Sequence, residues 1–189
     1  METDRLTDGS VWKRTGRLGA LWLLLLGGCA SSSAVSAVMV QRGARLSADR
    51  WVLLPLMNYS EAPRADEGAR AILSTLLRAR GIKTLAEAPA TAPDQPMPDL
   101  DGRRRLESAI AWAKKEKFTL GLTGSVNEWR YRASSDASPA VGLSLGIVDV
   151  ESGEVLWTAS GARSGSAGDT VSGTAQRLLL ELLDGLETR

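Results

Sequence analysis

The side chains that could do chemistry in this chain are few. Its 189 residues include no histidine and a single cysteine. The usual general base near pH 7 and the commonest metal ligand are therefore missing. One cysteine permits no intrachain disulfide, no thiolate zinc cluster and no CxxC redox pair. Carboxylates, serines, lysines and arginines remain. Ser31, Ser32 and Ser33 stand together but have no histidine to activate them. Asp149, Glu151 and Glu154 cluster where a hairpin turn is expected, and turns favour such residues for conformational reasons. Arg130 and Arg132 flank Tyr131 beside Trp129, a set that could stack a sugar or a base but reads first as an ordinary solvated edge strand. The residues thus assign no catalytic group, no cofactor and no metal site, and the chain reads as non-enzymatic.

The thiol is the exception. Lys13, Arg14 and Arg17 precede the apolar run Leu18-Gly19-Ala20-Leu21-Trp22-Leu23-Leu24-Leu25-Leu26, which leads into Gly27-Gly28-Cys29. A bilayer span needs about 20 apolar residues, so this run is too short to cross and suits a signal-peptide core. Leu26-Gly27-Gly28-Cys29 resembles the lipobox of bacterial lipoproteins. That resemblance makes residues 1–28 a signal peptide and Cys29 the acceptor of a diacylglyceryl group. Ala30 follows the cysteine, where aspartate would be the usual inner-membrane retention signal, so the expected location is the outer membrane, lipid-anchored on its periplasmic face. Beyond residue 28 the chain carries 19 basic and 19 acidic residues. A neutral chain lacks the electrostatic footprint of a nucleic-acid binder, and no nucleic-acid partner is expected.

Elements follow from periodicity. Residues 29–49 are rich in small side chains and read as a tether, or in part as an edge strand at Ala37-Val38-Met39-Val40. The folded domain spans 50–189. Trp51 to Leu56 is a short apolar run and reads as a buried strand, with Asn58-Tyr59-Ser60 a loop where a glycine-rich phosphate loop would otherwise stand. Ala69, Ile72, Leu73, Leu76 and Leu77 recur at helical spacing, with Gly81 as the stop. Ile82 to Leu85 reads as a second strand, and the proline-rich stretch 86–100 as a long loop. Leu106, Ala109, Ile110 and Ala113 mark a second helix whose first turn holds Arg103, Arg104 and Arg105, a solvated face or a surface for an acidic partner. Alternation then places Leu120, Leu122, Gly124 and Val126 on one face of a strand, with Thr123, Ser125, Asn127, Trp129 and Tyr131 on the other. Val141, Leu143, Leu145 and Ile147 alternate with Gly142, Ser144 and Gly146, and Val155, Trp157 and Ala159 continue the pattern across a turn. A last helix carries Val171, Ala175, Leu178, Leu179 and Leu182 behind Asp169 or Thr170 as N-cap. The expected fold is a single α/β domain, β-α-β-α-β-β-β-α, with helices packed on a mixed β-sheet. Gly142, Ser144 and Gly146, with Gly121, Thr123 and Ser125, form a strand face with little bulk. Such a face admits another backbone or subunit, and this trio is the expected oligomer interface.

The runs Leu120 to Tyr131, Val141 to Leu145 and Ser152 to Arg163 resemble the PelC family, outer-membrane lipoproteins of Pel exopolysaccharide export. Trp51 to Ser60 and Ser172 to Arg177 also fit, so the resemblance covers roughly Trp51 to Leu186. A weaker form of the pattern is shared with curli-secretion and penicillin-binding-protein-activator lipoproteins. The PelC resemblance implies a dodecameric periplasmic ring whose acidic funnel guides a cationic amino-sugar polymer to a β-barrel exporter, with an aromatic belt meeting the lipid. Residues 164–168, where that family's tryptophan is expected, hold none here. Asp136 and then Glu128 are the acids expected to guide polymer. The rival reading is a monomeric periplasmic lipoprotein that activates an envelope enzyme or secretion channel by contact.

Overall fold

The computed structural model describes residues 33–38, 46, 50–89, 102–132, 137–184 and 186, all within one compact unit, residues 31–189. Among these residues, six strands form one mixed sheet. They are β1 (Ser33–Val38), β2 (Trp51–Asn58), β3 (Leu85–Glu87), β4 (Leu120–Tyr131), β5 (Pro139–Asp149) and β6 (Val155–Ser164). The spatial order is β1-β6-β5-β4-β2-β3, with β2 parallel to β3 and β4 and the other pairs antiparallel. The helices are α1 (Ala65–Ala79), α2 (Gly102–Lys115) and α3 (Val171–Asp184).

The continuous apolar run of β2 is explained by burial on both faces. Trp51, Leu53 and Leu56 enter the main core with α1 and α3, while Val52 and Leu54 join a smaller core with Ala109 and Ala113 of α2. On β5 and β6 alternation holds as expected. Val141, Leu143, Leu145, Ile147, Trp157 and Ala159 are all buried in the main core. Each of the larger side chains among them contributes about 1.5–3 kcal/mol through burial. Thr170 is the N-cap of α3, its Oγ1 accepting the Gly173 amide at 3.0 Å. Asp169 instead accepts the Ser166 amide at 2.8 Å and pairs with Arg177. That amide, then the guanidinium, hold its carboxyl below the usual range.

Three elements depart from expectation. The second strand is Leu85–Glu87 rather than 82–85, because Gly81 and Ile82 close α1. Gly81, at φ 89°, donates to the Arg78 carbonyl and Ile82 to that of Leu77, a Schellman ending that leaves Ile82 no ladder partner. β2 continues through Asn58, past Pro55, which sits where the register with β4 shifts and beyond the last β3 pairing. Finally, the stretch 29–49 does contribute an edge strand, but at Ser33–Val38 rather than 37–40: it pairs with β6, from Ser33 opposite Arg163 to Val38 opposite Thr158.

Candidate functional site

α2 lies along β2, from Gly102 beside Met57 to Ala113 in the core with Val52, and reaches β5 only at Val148 and Val150. Among the described residues no helix covers the rest of β4, β5 and β6 on this face. There the cross-strand rows are short and polar. Ser125 lies opposite Ser144, Ser144 opposite Ser160, and Ser160 opposite Ser36, a line of serines across four strands. Neighbouring rows hold Thr123, Gly146 and Thr158, and Glu128, Gly142 and Ala162. An open concavity of about 830 Å³ lies over this face, lined among others by Tyr59, Asn127, Glu128, Arg130, Ser144 and Ser160.

A bulge shapes the site. The β4–β5 register shifts between Val126 and Glu128, which leaves Asn127 as the extra residue. Its side chain is used in place of a ladder pairing: Oδ1 accepts from the Ser125 hydroxyl at 3.0 Å, and Nδ2 donates to Ser144 Oγ at 3.0 Å. The bulge also changes phase. Trp129, expected on the outer face with Ser125, packs instead against the main core, where a Cβ on Gly68 of α1 would lie 3.5 Å from its ring. Gly121 is likewise not on the open face, since it is covered by Leu54 and Val148.

The glycines of β4 and β5 separate into two kinds. At Gly124 a Cβ would meet the Ser144 carbonyl oxygen at 2.0 Å, so the fold itself requires glycine. At Gly146 the nearest atoms would be 3.7 Å away, and at Gly142 3.4 Å, so the subunit tolerates a methyl at either position. Small side chains at these two positions are not demanded by packing inside the subunit.

The expected site residues fall as follows. Ser144 and Gly146 are on the open face, whereas Gly142, on the same side of β5, is buried beneath Asn127 and Glu128 and is not part of the expected contact surface. Glu128 is half-buried, and its Oε1 accepts from Arg130 Nε at 2.9 Å, which offsets its charge. Asp136 and Cys29 lie outside the described residues. Asp149 serves the turn, accepting the Ser152 amide at 2.7 Å and its hydroxyl at 2.9 Å. Those two bonds, the amide first, hold its carboxyl below the usual range. Among the described residues no cluster of three or more acids or cysteines is arranged to hold a metal. The arrangement offers a surface, with hydroxyl and amide groups presented on a flat sheet, rather than a reactive centre. Sequence reasoning missed the role of Asn127. The signal was present, because Val126 and Trp129 are three residues apart, an odd spacing for two core residues of one strand.

No family model and no curated protein matches the chain. Among solved structures, the PelC dodecamer from Paraburkholderia phytofirmans superposes with a TM-score of 0.69 at 30% identity, covering 84% of this chain and 99% of that one. The chain belongs to the PelC family. A single-substitution variant of the same PelC in another space group gives 0.67 at 29% identity, covering 84% and 100%. The lipoprotein GNA1162 from Neisseria meningitidis shares the fold at 17% identity, TM-score 0.54, covering 74% and 96%. The PelC chain is matched along almost its full length.

Proposed function

We propose that this PelC-family chain is a non-enzymatic lipoprotein, anchored at the periplasmic face of the outer membrane through Cys29. It assembles as a ring that guides an exopolysaccharide to a β-barrel exporter. The observation that carries the reading is the 30% identity over nearly all of a PelC chain that forms a dodecamer. The open face of β4, β5 and β6 supports it as the subunit contact. Gly146 lacks a side chain that its own subunit would accommodate, as expected where a neighbour's surface approaches closely.

Two experiments test the reading at its two ends. Cys29→Ser should leave a folded, exported protein that no longer partitions with membranes, because the thiol serves attachment and not the core. Retention of the serine variant in membranes after a high-salt wash would show that lipid is not the anchor. Asp136→Lys should reduce secreted polymer severalfold, with lipidation and ring size confirmed intact. A carboxylate repeated around a ring adds its field at the opening, and a lysine there reverses it. Glu128 has Arg130 beside it, so Glu128→Gln should have the smaller effect. Normal secretion from the Asp136 variant would move the guiding role to other acids.

A further inference from the structure

The far edge of the sheet stops short. β3 is three residues long and pairs only with Trp51, Val52 and Leu53 of β2. Past Glu87 no strand among the described residues lies along that edge of β2, and an open concavity of about 510 Å³ stands there. Asp66, Glu67 and Arg70 of α1, Glu87 of β3 and Arg105 of α2 line it. α1 belongs to the main core and α2 to the smaller core on the other face, so Arg105 and Asp66 approach each other around the sheet edge. The charges are balanced but loosely paired. Arg105 Nη1 is 3.9 Å from Asp66 Oδ2 and Arg70 Nη2 is 3.4 Å from Glu87 Oε2, both too long for good hydrogen bonds. Arg70 Nη2 donates instead to the Ala88 carbonyl at 2.6 Å, Ser74 donates to Glu87 Oε1 at 2.8 Å, and Glu67 is taken by Arg64. What is left over here is of one kind. The Nε groups of Arg70 and Arg105 are buried and have no hydrogen-bond partner. A buried donor without an acceptor is rare in a native fold and marks a place where something else supplies one.

We propose that this concavity is a subsite for an uncharged sugar residue, held by Arg70 and Arg105. The source of that sugar rests on the polysaccharide-guiding reading above. The ligand must bring acceptor oxygens for the two arginines. An anion would meet Asp66, Glu67 and Glu87, and a cation would meet Arg70 and Arg105, so the lining selects neither charge. Hydroxyl and acetamido oxygens accept from a guanidinium, and hydroxyls also donate to the carboxylates beside it. The volume falls within the range of roughly 300–1,000 Å³ usual for small-molecule sites. An extended peptide is the other neutral, acceptor-rich ligand, but this edge is a poor template for a strand. Pro55 has no N–H to offer, its carbonyl already accepts from Thr123 Oγ1 at 2.8 Å, and the register of β2 shifts around it.

The test titrates the lipidated full-length mature protein in detergent with two probes, chitotetraose with its amines charged and the tetra-N-acetyl form. The acetylated probe should bind, and the cationic one severalfold more weakly. Arg105→Gln should weaken the acetylated probe by about tenfold or more, as expected when hydrogen bonds from a charged donor are lost. Ala71 is exposed and also lines the concavity, so Ala71→Trp should do the same by filling it, with every side-chain hydrogen bond of the site left in place. No binding of the acetylated probe, or unchanged affinity in both variants, would overturn the proposal. So would tighter binding of the cationic probe, or of an extended valine–threonine peptide. Binding to the purified protein requires neither export nor Asp136. Normal secretion from Asp136→Lys would therefore remove that acid from the guiding role without touching the subsite, and a failed titration would leave the secretion test as it stands.

Discussion

Gly124→Ala should leave the domain about 3 kcal/mol or more less stable, or unable to fold. The added Cβ would stand 2.0 Å from the Ser144 carbonyl oxygen and 3.1 Å from Leu145 Cα, so β4 and β5 must part along the centre of the sheet. Backbone cannot yield as the end of a flexible side chain can, and the cost falls at or above the upper part of the usual range for overpacking. For a domain of this size that loss lowers Tm by roughly 10 °C. Gly146→Ala is the matched control, with its nearest atoms at 3.7 Å, and should melt within a few degrees of the parent. Thermal unfolding followed by circular dichroism reads both. Equal melting of the two variants would mean that the Gly124 contact is relieved at small cost, contrary to this packing.

Ser144→Arg should abolish ring assembly while leaving the unfolding temperature nearly unchanged. Ser144 is on the open face, and within its own subunit it loses only the hydrogen bond from Asn127. An arginine there reaches solvent in the isolated subunit, where surface substitutions usually shift stability by less than about 0.5 kcal/mol. Pressed against a neighbour, the same guanidinium is an uncompensated charge taken out of water, which costs several kcal/mol at each contact. A loss of about 4 kcal/mol weakens each contact roughly a thousandfold, and a ring repeats the loss at every interface. Sedimentation velocity and a melting curve on the same sample separate the two effects. Native size with the arginine in place would put the subunit contact on another face.

Much of the fold was legible because burial was one-sided. On β5, Val141, Leu143, Leu145 and Ile147 face helices and Gly142, Ser144 and Gly146 do not, so period two reads directly as a half-buried strand. The three helices were legible from their stripes. The failures share a physical cause, which is competition for the same backbone groups. Ile82 was β-branched and flanked like a strand residue, yet its amide is taken by the end of α1. Trp129 changed face because Asn127 was inserted into the ladder, a local event that a fixed period cannot register. Ser33–Val38 is built of small residues and pairs only because β6 offers a free edge, information that lies over a hundred residues away. The glycine and serine trio was found as a pattern. Only the space around each Cα separates Gly124, which its subunit needs, from Gly142 and Gly146, which it does not.

That distant pairing ranks the strands by the chain entropy each must overcome. The β5–β6 pairing closes over a short turn, with Val148 opposite Val155, whereas Ser36 meets Ser160 across 124 residues of chain. Loop closure rises by about 0.6 kcal/mol per doubling, so joining β1 costs roughly 2.5 kcal/mol more chain entropy than closing the hairpin. β1 is also an edge strand with one neighbour in the sheet. Among the paired strands its release returns the most chain entropy, and would lengthen the segment back to Cys29 by six residues while the rest of the sheet stays paired.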